Sequence, residues 1–466
     1  MRSARRVIWG GWALLGAGLL GLGGTACGGA SADEGADGTA RAEVQNPVPS
    51  PAPDAAAPSA GTQAPSAGTQ PPTTAAPAPA APAVNPWSHT LGGPQDDTGA
   101  ALAVGRGGDV LWVTSGTPRS DEDRAQVEGE RLVLTLSRYT ADGTKLWAKE
   151  FERNRFSDLR VAASTGADGA VFLSGNAFLY SADFGLGEAQ DGFLVKFSQA
   201  GAPEWQRRVG QKVYGVAADA AGGGVALGEE WTTEAHTPRL VRYAADGTAR
   251  WTRTFDGARD GTRLSAVALS ATGTSVVAGR LVGPVTVDGR TFDAEGAGGF
   301  VVLAFDAAGK LTWGREVPGG NGSVGSVSLG ADGTVAVAGE AVGPLVWNGA
   351  ALDGGGPFVL TASAAGEERW AKQPSCGTAS VGTVAAVESS GAVAAACGNT
   401  LTRYAADGAL LGTKKLAPEA CGSGTCSLAT TALVAPPTAG LLVSGWQRDG
   451  AGDTWNQDAF LRLVAP

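Results

Sequence analysis

A Trp indole can stack on a flat ligand, and three Trp stand outside the repeating pattern of the chain, in long segments between predicted strands. They are Trp231, Trp446 and Trp455, and the carboxylates of Asp449 and Asp453 lie close to the last two in sequence. Aromatic and acidic side chains on long connections over a rigid scaffold are typical of binding surfaces. We predict that these five residues bind a ligand or partner. The alternative is that the long connections are tolerated insertions.

The chain contains few residues for acid–base or metal chemistry. It has 2 His: His89 falls in a predicted strand and His236 in a predicted loop, and no Gly-x-Ser-x-Gly motif accompanies either. The acidic clusters lack the spacing of a calcium loop. We therefore predict no catalytic residues, no metal site and no cofactor. A formal net charge of -10, without a basic run beyond the first six residues, argues against a nucleic-acid partner.

Short strands and tight turns must position these residues, because a chain with 72 Gly, 25 Pro and only 17% charged residues is poor in helix formers. One spacing recurs: an aromatic residue, a Gly four positions later and a Trp four positions after that. The Gly supplies the positive φ of a hairpin turn, and the constant loop length places each Trp on the same face. The copies are Tyr139, Gly143, Trp147; Phe197, Gly201, Trp205; Tyr243, Gly247, Trp251; and Phe305, Gly309, Trp313, with degenerate copies at Ala362, Gly366, Trp370 and at Tyr404, Gly408, Gly412.

A second hairpin lies between these copies, and one of its strands ends in a small residue followed by Gly. Each repeat therefore holds four short strands, and one such unit cannot cover both faces of its own sheet. The repeats must stack on one another, with the periodic Trp side chains packed between neighbouring sheets. This second hairpin occurs seven times, at Gly116, Gly175, Gly228, Gly279, Gly339, Gly398 and Gly445.

Each end of the repeat region holds an incomplete unit. Residues 87–91 form a Trp strand without a preceding partner, and residues 460–464 form a strand without the turn and Trp strand that should follow. Joining them completes a seventh unit, and a closed ring removes most exposed sheet edges. We predict an all-β fold over residues 87–466: a monomeric, seven-bladed β-propeller of four-stranded blades, closed by pairing of its N- and C-terminal strands.

Loop length is asymmetric within the predicted blades. The turns inside the hairpins are short, whereas six other connections are long. In a four-stranded up-and-down blade, these connections emerge on the same face as the crossovers between blades, so we predict that this face carries the partner site. The long connections are 117–130, 176–191, 229–238, 280–297, 340–356 and 446–458.

The N-terminus predicts export. Three Arg precede an apolar run at 7–22 that is too short and too rich in Gly to span a membrane, so residues 1–26 are predicted to be a secretory signal peptide. The sequence Gly24-Thr25-Ala26-Cys27 resembles the lipobox of bacterial lipoproteins, in which the Cys becomes the lipidated first residue. That family has an aliphatic residue where Gly24 stands. The alternative is ordinary signal-peptidase cleavage after Ala26.

Residues 27–86 are predicted to be a tether that begins with the lipidated Cys27. The segment consists mainly of Ala, Pro, Thr, Ser and Gly. Such a composition cannot bury enough apolar area to fold, so we expect a disordered linker with polyproline II character.

The remaining four Cys can form disulfides in an oxidising compartment. Cys376, Cys397, Cys421 and Cys426 allow three connectivities. We predict pairing of Cys376 with Cys397 and of Cys421 with Cys426. The alternative is that they are free buried thiols.

The predicted blades resemble the β-propeller repeats of bacterial secreted and lipid-anchored proteins. Residues 299–313 match that pattern, and the Gly-Gly-x-x-x-Asp sequence within 91–97 resembles the loop before the inner strand in that family. The resemblance covers 87–466 and implies the fold but little chemistry. A weaker likeness to pyrroloquinoline-quinone-type propellers rests on Ala141-Asp142-Gly143 with Trp147, but the adjacent Cys pair of those enzymes is missing here.

These features together predict an exported, lipid-anchored β-propeller that acts as a non-catalytic binding or scaffold module at the cell envelope, on the outer membrane. Its expected partners are the membrane, through the lipid anchor, and an envelope protein or glycan. The alternative is a propeller enzyme, quinoprotein-like or lyase-like, that uses the central channel.

Overall fold

The fold is all-β in the part of the chain that the structure, a computed structural model, describes. That part comprises residues 85–92, 95–118, 133–152, 155–163, 166, 168–232, 236–293, 298–376, 382–419, 426–438, 440–450 and 456–465. It contains thirty strands and one short 3-10 turn, at Arg106–Gly108. None of its helical segments has the length and apolar character needed to cross a membrane. The predicted signal peptide and Cys27 lie outside the described residues.

All strand pairs among the described residues are antiparallel, and most strands have five to ten residues. In chain order the strands are β1 (Trp87–Leu91), β2 (Gln95–Val104), β3 (Val110–Pro118), β4 (Val133–Tyr139), β5 (Lys145–Glu152), β6 (Arg155–Ala163), β7 (Val171–Asp183), β8 (Glu188–Phe197), β9 (Pro203–Gly210), β10 (Lys212–Ala218), β11 (Gly224–Trp231), β12 (His236–Tyr243), β13 (Ala249–Thr254), β14 (Arg263–Leu269), β15 (Ser275–Leu281), β16 (Val285–Val287), β17 (Arg290–Phe292), β18 (Gly299–Phe305), β19 (Leu311–Leu329), β20 (Val335–Trp347), β21 (Ala350–Leu352), β22 (Gly356–Ala362), β23 (Glu368–Lys372), β24 (Thr383–Val387), β25 (Val393–Cys397), β26 (Thr400–Tyr404), β27 (Leu410–Lys415), β28 (Cys426–Val434), β29 (Leu441–Asp449) and β30 (Asn456–Val464).

The strands assemble into four-stranded groups. Five are separate sheets: β2-β3-β4-β5, β6-β7-β8-β9, β10-β11-β12-β13, β24-β25-β26-β27 and β28-β29-β30-β1. A larger sheet has the order β14-β15-β18-β19-β20-β22-β23, with β21 on β20. Its strand β19 has 19 residues and pairs with β18 up to Pro318 and with β20 from Gly319 onward. The larger sheet therefore consists of two four-stranded halves that share β19.

The strand β1 comes from the opposite end of the described chain from its sheet partners. It pairs with β30 in an antiparallel register that runs from Trp87 opposite Leu463 to Leu91 opposite Ala459. The incomplete N-terminal and C-terminal units predicted from the sequence therefore lie in one sheet.

A repeated turn joins the last two strands of each of six groups. In the first, the Gly143 N–H donates to the Thr140 carbonyl at 3.0 Å, and Gly143 has φ of 87°. This is a type I turn followed by a left-handed residue, which adds a bulge. The register accordingly shifts between Arg138 and Tyr139. The same turn hydrogen bond recurs at Gly201, Gly247, Gly309, Gly366 and Gly408.

The periodic Trp side chains pack between neighbouring groups, which confirms the prediction made from their spacing. Each indole N–H donates to a turn carbonyl of the next group, at 2.9 to 3.1 Å, and each ring lies against the turn Gly of that group. A Cβ on that Gly would lie within 2.4 to 3.2 Å of the ring, so a larger residue does not fit there without a shift. The donor and acceptor pairs are Trp87 and Ala141, Trp147 and Gln199, Trp205 and Ala245, Trp251 and Ala307, Trp313 and Ala364, and Trp370 and Ala406.

The degenerate copies behave differently from each other. Trp370 makes the same contact as the regular copies, at 2.9 Å from the Ala406 carbonyl. Gly412 stands on β27 where a Trp would be. The matching turn of the following group would join β30 to β1, and these strands come from opposite ends of the chain. A Trp at this position would therefore have no such turn to contact.

Several connections predicted as long loops consist largely of strand, so that prediction was wrong for them. The connection 280–297 contains β16 and β17, 340–356 contains β21 and the end of β20, and 176–191 continues β7 and β8. Asp288 and Gly289, with φ of 48° and 75°, form the two-residue turn of one added hairpin. Asp-Gly favours this turn because both positions need positive φ. The buried Val285, Val287 and Phe292 anchor that hairpin.

Apolar cores lie between neighbouring groups. Leu134 and Leu136 on β4 cluster with Val171 on β7 and with Phe193 and Phe197 on β8, and all five side chains are fully buried. A group of four strands gains this burial only when a second group covers it, because both faces of each sheet are apolar.

Candidate functional site

A central cavity of about 460 Å³ is lined by seven strands. These are β2, β6, β10, β14, β19, β24 and β28, the first strand of every four-stranded group. Antiparallel four-stranded sheets stacked around one axis are the β-propeller architecture. The predicted fold class is confirmed at this level.

A second pocket of about 490 Å³, here called the mouth pocket, adjoins the central cavity. Arg160, Tyr214 and Ser265 line both. The mouth pocket lies where β10 and β14 begin, where β11 ends and where β12 begins. It therefore occupies the end of the cavity at which the predicted long connection 229–238 emerges.

Side-chain amide and hydroxyl groups hold the strand ends that form the mouth pocket. The Gln211 side chain donates to the Trp231 carbonyl at 3.0 Å and accepts from the Trp231 N–H at 2.7 Å. The Thr262 hydroxyl makes the same kind of double contact with the backbone of Val282, at 3.0 and 2.9 Å. These bonds satisfy backbone groups that a strand end would otherwise leave unpaired. They also fix the positions of Trp231 and Arg263, the adjoining pocket residues.

Trp231, predicted as a ligand contact, lines the mouth pocket. Its ring is stacked on His236, with 4.9 Å between the ring centroids and 12° between the planes. The Lys212 ammonium lies 4.6 Å from the Trp231 ring centroid. The indole therefore holds a cation and an imidazole in place at the pocket wall. Its Nε1 is buried and has no hydrogen-bond partner within the described part of the chain.

Glu229 connects two groups that can carry protons. Its carboxylate accepts a hydrogen bond from the Tyr214 hydroxyl at 2.6 Å and lies 3.3 Å from His236 Nδ1. The side chain of Glu229 is only 6% exposed. A buried carboxylate at this distance favours the tautomer with a proton on Nδ1, which leaves Nε2 as an acceptor when the ring is neutral. The exposed Asp260 lies 3.8 Å from the same nitrogen.

Four cationic side chains line the mouth pocket, against the two carboxylates of Glu229 and Asp260. They come from four strands, β6, β10, β14 and β15. The guanidinium of Arg263 lies 4.4 Å from the Tyr214 ring centroid. An excess of positive charge, combined with polar groups, suits a negatively charged ligand. The four cations are Arg160, Lys212, Arg263 and Arg280.

The other predicted binding residues lie elsewhere. Trp446 and Asp449 are both on β29, in a different sheet from Trp231, and neither lines the mouth pocket. The Arg448 guanidinium lies 4.5 Å from the Trp446 ring centroid. Asp453 and Trp455 lie outside the described residues. A binding role for these four side chains stays a prediction.

Sequence reasoning did not single out most of the mouth pocket. His236, predicted to lie in a loop, begins β12, and Tyr214, Glu229 and Arg263 were not identified. One signal was present: Arg160, Lys212 and Arg263 interrupt segments that are otherwise rich in Ala, Val and Leu. That signal does not tell which strands meet.

One predicted disulfide is confirmed. Cys376 is bonded to Cys397, with 4.8 Å between their Cα atoms and a sequence separation of 21. Cys426 is also disulfide-bonded, whereas Cys421, its predicted partner, lies outside the described residues. Among the residues that the structure describes, no group of three or more His, Cys, Asp or Glu side chains is placed to hold a metal ion.

Comparisons with known proteins add likenesses in fold. No family model matches the chain, and no curated protein matches it. The chain is similar to the Pan2 WD40 domain of Neurospora crassa, with 8% identity, coverage of 78% of this chain and 89% of that one, and a TM-score of 0.43. It is also similar to the polysaccharide lyase Uly1, with 13% identity, coverage of 79% and 90%, and a TM-score of 0.40.

A third similar structure is XC5397 of Xanthomonas campestris, described as a gluconolactonase. The identity is 13%, the coverage is 72% of this chain and 91% of that one, and the TM-score is 0.34. At these identities and TM-scores, the likenesses carry no conclusion about what this chain binds or catalyses.

Proposed function

We propose that the chain is a closed, seven-bladed β-propeller that works as a non-catalytic binding module at the cell envelope, with the mouth pocket as its recognition site. The observation that carries the binding role is the excess of cations in that pocket on a chain whose formal net charge is -10. Binding residues concentrate where loops and strand ends meet over a rigid scaffold.

The blade count is supported by the four-stranded groups: five separate sheets and the two halves of the larger sheet. Six of the seven junctions between consecutive groups carry the contact between a Trp and a turn Gly. The seventh junction is the one at Gly412. Each group, on this proposal, is one blade.

Closure is supported by side chains that join the first group to the last. The indole N–H of Trp112 on β3 donates to the Ser444 hydroxyl on β29 at 2.8 Å. The Gln457 side chain on β30 donates to the Thr98 hydroxyl on β2 at 2.9 Å. Trp87 adds the contact described above with the turn between β4 and β5. A ring closed in this way holds the mouth pocket rigid, because no blade can separate without breaking contacts on both sides.

The binding role is tested with the full chain and a matched pair of variants. Defined glycans and purified envelope components are screened against wild type, Lys212→Gln and Arg250→Gln; Arg250 is an exposed Arg on β13 of the same sheet. We expect at least one ligand whose affinity falls about tenfold or more in Lys212→Gln and is unchanged in Arg250→Gln. If every ligand that binds wild type binds both variants equally, the mouth pocket is not the recognition site.

The location is part of the same proposal: a lipid on Cys27 holds the protein at the outer membrane, and residues 28–86 give the propeller reach. The lipobox-like sequence and the composition of the linker support it. Mass spectrometry of the first mature residue and membrane fractionation test it. We expect a lipid-modified Cys27 in the membrane fraction and a soluble protein from Cys27→Ala. An unmodified N-terminus would remove the anchor from the proposal.

A lyase-like enzyme is the second candidate, favoured by the contacts of Glu229 with Tyr214 and His236. Phenol and imidazole side chains are common acid and base catalysts. The test is turnover of uronic-acid polysaccharides by the full chain, read as ultraviolet absorbance of an unsaturated product. A lyase would produce this signal, and Tyr214→Phe and His236→Gln would lose it. Binding without turnover would leave the non-catalytic module.

A further inference from the structure

The mouth pocket has an excess of positive charge, whereas the whole chain has an excess of negative charge. The pocket holds four cations and two carboxylates, whereas the chain as a whole has 35 Lys and Arg against 45 Asp and Glu. Cations gathered at one site repel each other, and this repulsion falls when an anion binds between them. The local excess therefore indicates a ligand with negative charge.

Two of the cations face each other directly. Arg263 on β14 and Arg280 on β15 are register partners in their antiparallel pair, and both line the mouth pocket. Like charges in directly opposite positions destabilise a sheet. The Nε of Arg280 is buried and has no hydrogen-bond acceptor within the part of the chain that the structure describes. Such a group costs free energy until an acceptor reaches it.

Two guanidinium groups restrict which kind of anion the pocket can bind. A guanidinium presents N–H donors in a planar fork that matches the oxygens of a carboxylate or a phosphate. The ligand that would contact the guanidinium groups of both Arg263 and Arg280 is therefore an oxyanion.

The other residues that line the pocket restrict the chemistry of the rest of the ligand. Both aromatic rings already have a side chain against them: Trp231 holds His236 and Lys212, and Tyr214 holds Arg263. A nucleobase, which binds by stacking on an aromatic face, is therefore disfavoured. The carboxylate of Asp260 can instead accept hydrogen bonds from hydroxyl groups, and the ammonium of Lys212 can donate hydrogen bonds to them. A volume of about 490 Å³ is in the usual range for small organic ligands.

We propose that the mouth pocket binds an acidic sugar, with Arg263 and Arg280 on its oxyanion and Asp260 and Lys212 on its hydroxyls. This inference rests on the proposed function, since it names the ligand class of the same pocket. The oxyanion can be a carboxylate or a phosphate, and the test separates the two.

The experiment is isothermal titration calorimetry of the full chain with four probes that share one ring: glucuronate, glucose 6-phosphate, glucose and glucosamine. We expect glucuronate or glucose 6-phosphate to bind at least about tenfold more tightly than glucose, with glucosamine weakest. The tighter of the two acids identifies the oxyanion. Affinity should fall as salt is raised, because the attraction is screened.

Arg280→Gln should weaken the acidic probe about tenfold or more, and Arg250→Gln should leave it unchanged. Arg263 is exposed, so Arg263→Gln keeps the test valid if Arg280→Gln does not fold. The inference is wrong if glucose or glucosamine binds as tightly as the acids, if none of the four binds, or if both pocket variants bind like wild type. If a neutral ligand binds wild type and Lys212→Gln abolishes its binding, the proposed function holds and only the proposed ligand class is wrong.

Discussion

The contact between Trp313 and Gly366 sets a specific limit on what the turn tolerates. Gly366 has φ of 78°, and a Cβ placed there would lie 2.4 Å from the Trp313 ring. The ring cannot easily move away, because its N–H is bonded to the Ala364 carbonyl at 3.0 Å and its side chain is buried. Gly366→Ala therefore adds two costs, one from the backbone conformation and one from the clash.

A matched variant separates these costs. Gly289 has φ of 75°, and a Cβ there would meet nothing within 4 Å. Gly289→Ala should cost only the conformational term, roughly 1 to 2 kcal/mol. Gly366→Ala should cost the same plus an overpacking term of about 1 to 3 kcal/mol. We therefore expect Gly366→Ala to be less stable than Gly289→Ala by about 1 to 3 kcal/mol.

Denaturant unfolding measures this difference as a shift in midpoint at constant slope. A second comparison uses the Trp313→Ala background, where the ring is absent. There the two Gly variants should cost the same, because the clash is gone and only the backbone term remains. If Gly366→Ala costs no more than Gly289→Ala in wild type, or if the difference persists without the ring, the reasoning about the Trp contact is refuted.

Three further predictions concern the disulfide, a turn carboxylate and ring closure. Cys376→Ala removes the disulfide to Cys397, 21 positions along the chain, and should lower the free energy of unfolding by about 3 kcal/mol; a reductant should lower that of wild type by about 3 kcal/mol more than that of the variant, which keeps only the disulfide of Cys426. The hydrogen bond from the Thr334 side chain holds the pKa of Asp332 below its ordinary value. The ionised Asp332 thus adds stability above its unfolded-state pKa and loses it as the pH falls through the lower folded value. Asp332→Asn should be less stable at neutral pH by under about 1 kcal/mol, since the group is largely exposed, and acid titration of unfolding should show this gap closing. Trp87→Phe removes one indole N–H bond between the first and last groups and should lower the unfolding midpoint by the equivalent of about 1 kcal/mol; an unchanged midpoint would mean that this bond contributes nothing to closure.

The elements that could be predicted are those that depend on the spacing of residues close together in the sequence. The aromatic residue, Gly and Trp at constant intervals predicted the bulged hairpin turns and the side of each sheet that Trp205 or Trp251 would occupy. The pairing of Cys376 with Cys397 was predicted from among the three connectivities that four thiols allow, and the structure confirms it. The position without a Trp, Gly412, stands in the group that precedes the one whose strands come from both chain ends, where no matching turn exists.

The added hairpins were not predicted, although the sequence contains signals for them. The Asp288-Gly289 turn was a visible hairpin signal within a segment predicted to be a loop. Length alone suggested an irregular connection there. The alternation of Val285, Val287 and Phe292, all buried, was the sign that the segment packs on the sheet beside it.

The repeat, the four strands of each unit, the bulged turns and the Trp contacts could be predicted from the sequence, because each depends on residues within one hairpin and its copy in the next unit. The mouth pocket, in contrast, could be recognised only from the folded chain. Arg160, Tyr214, Glu229 and Arg280 stand on strands of consecutive groups, and Trp231 belongs with them rather than with Trp446. Stacking of whole sheets brings these side chains together, and no spacing along the chain encodes which of them will meet.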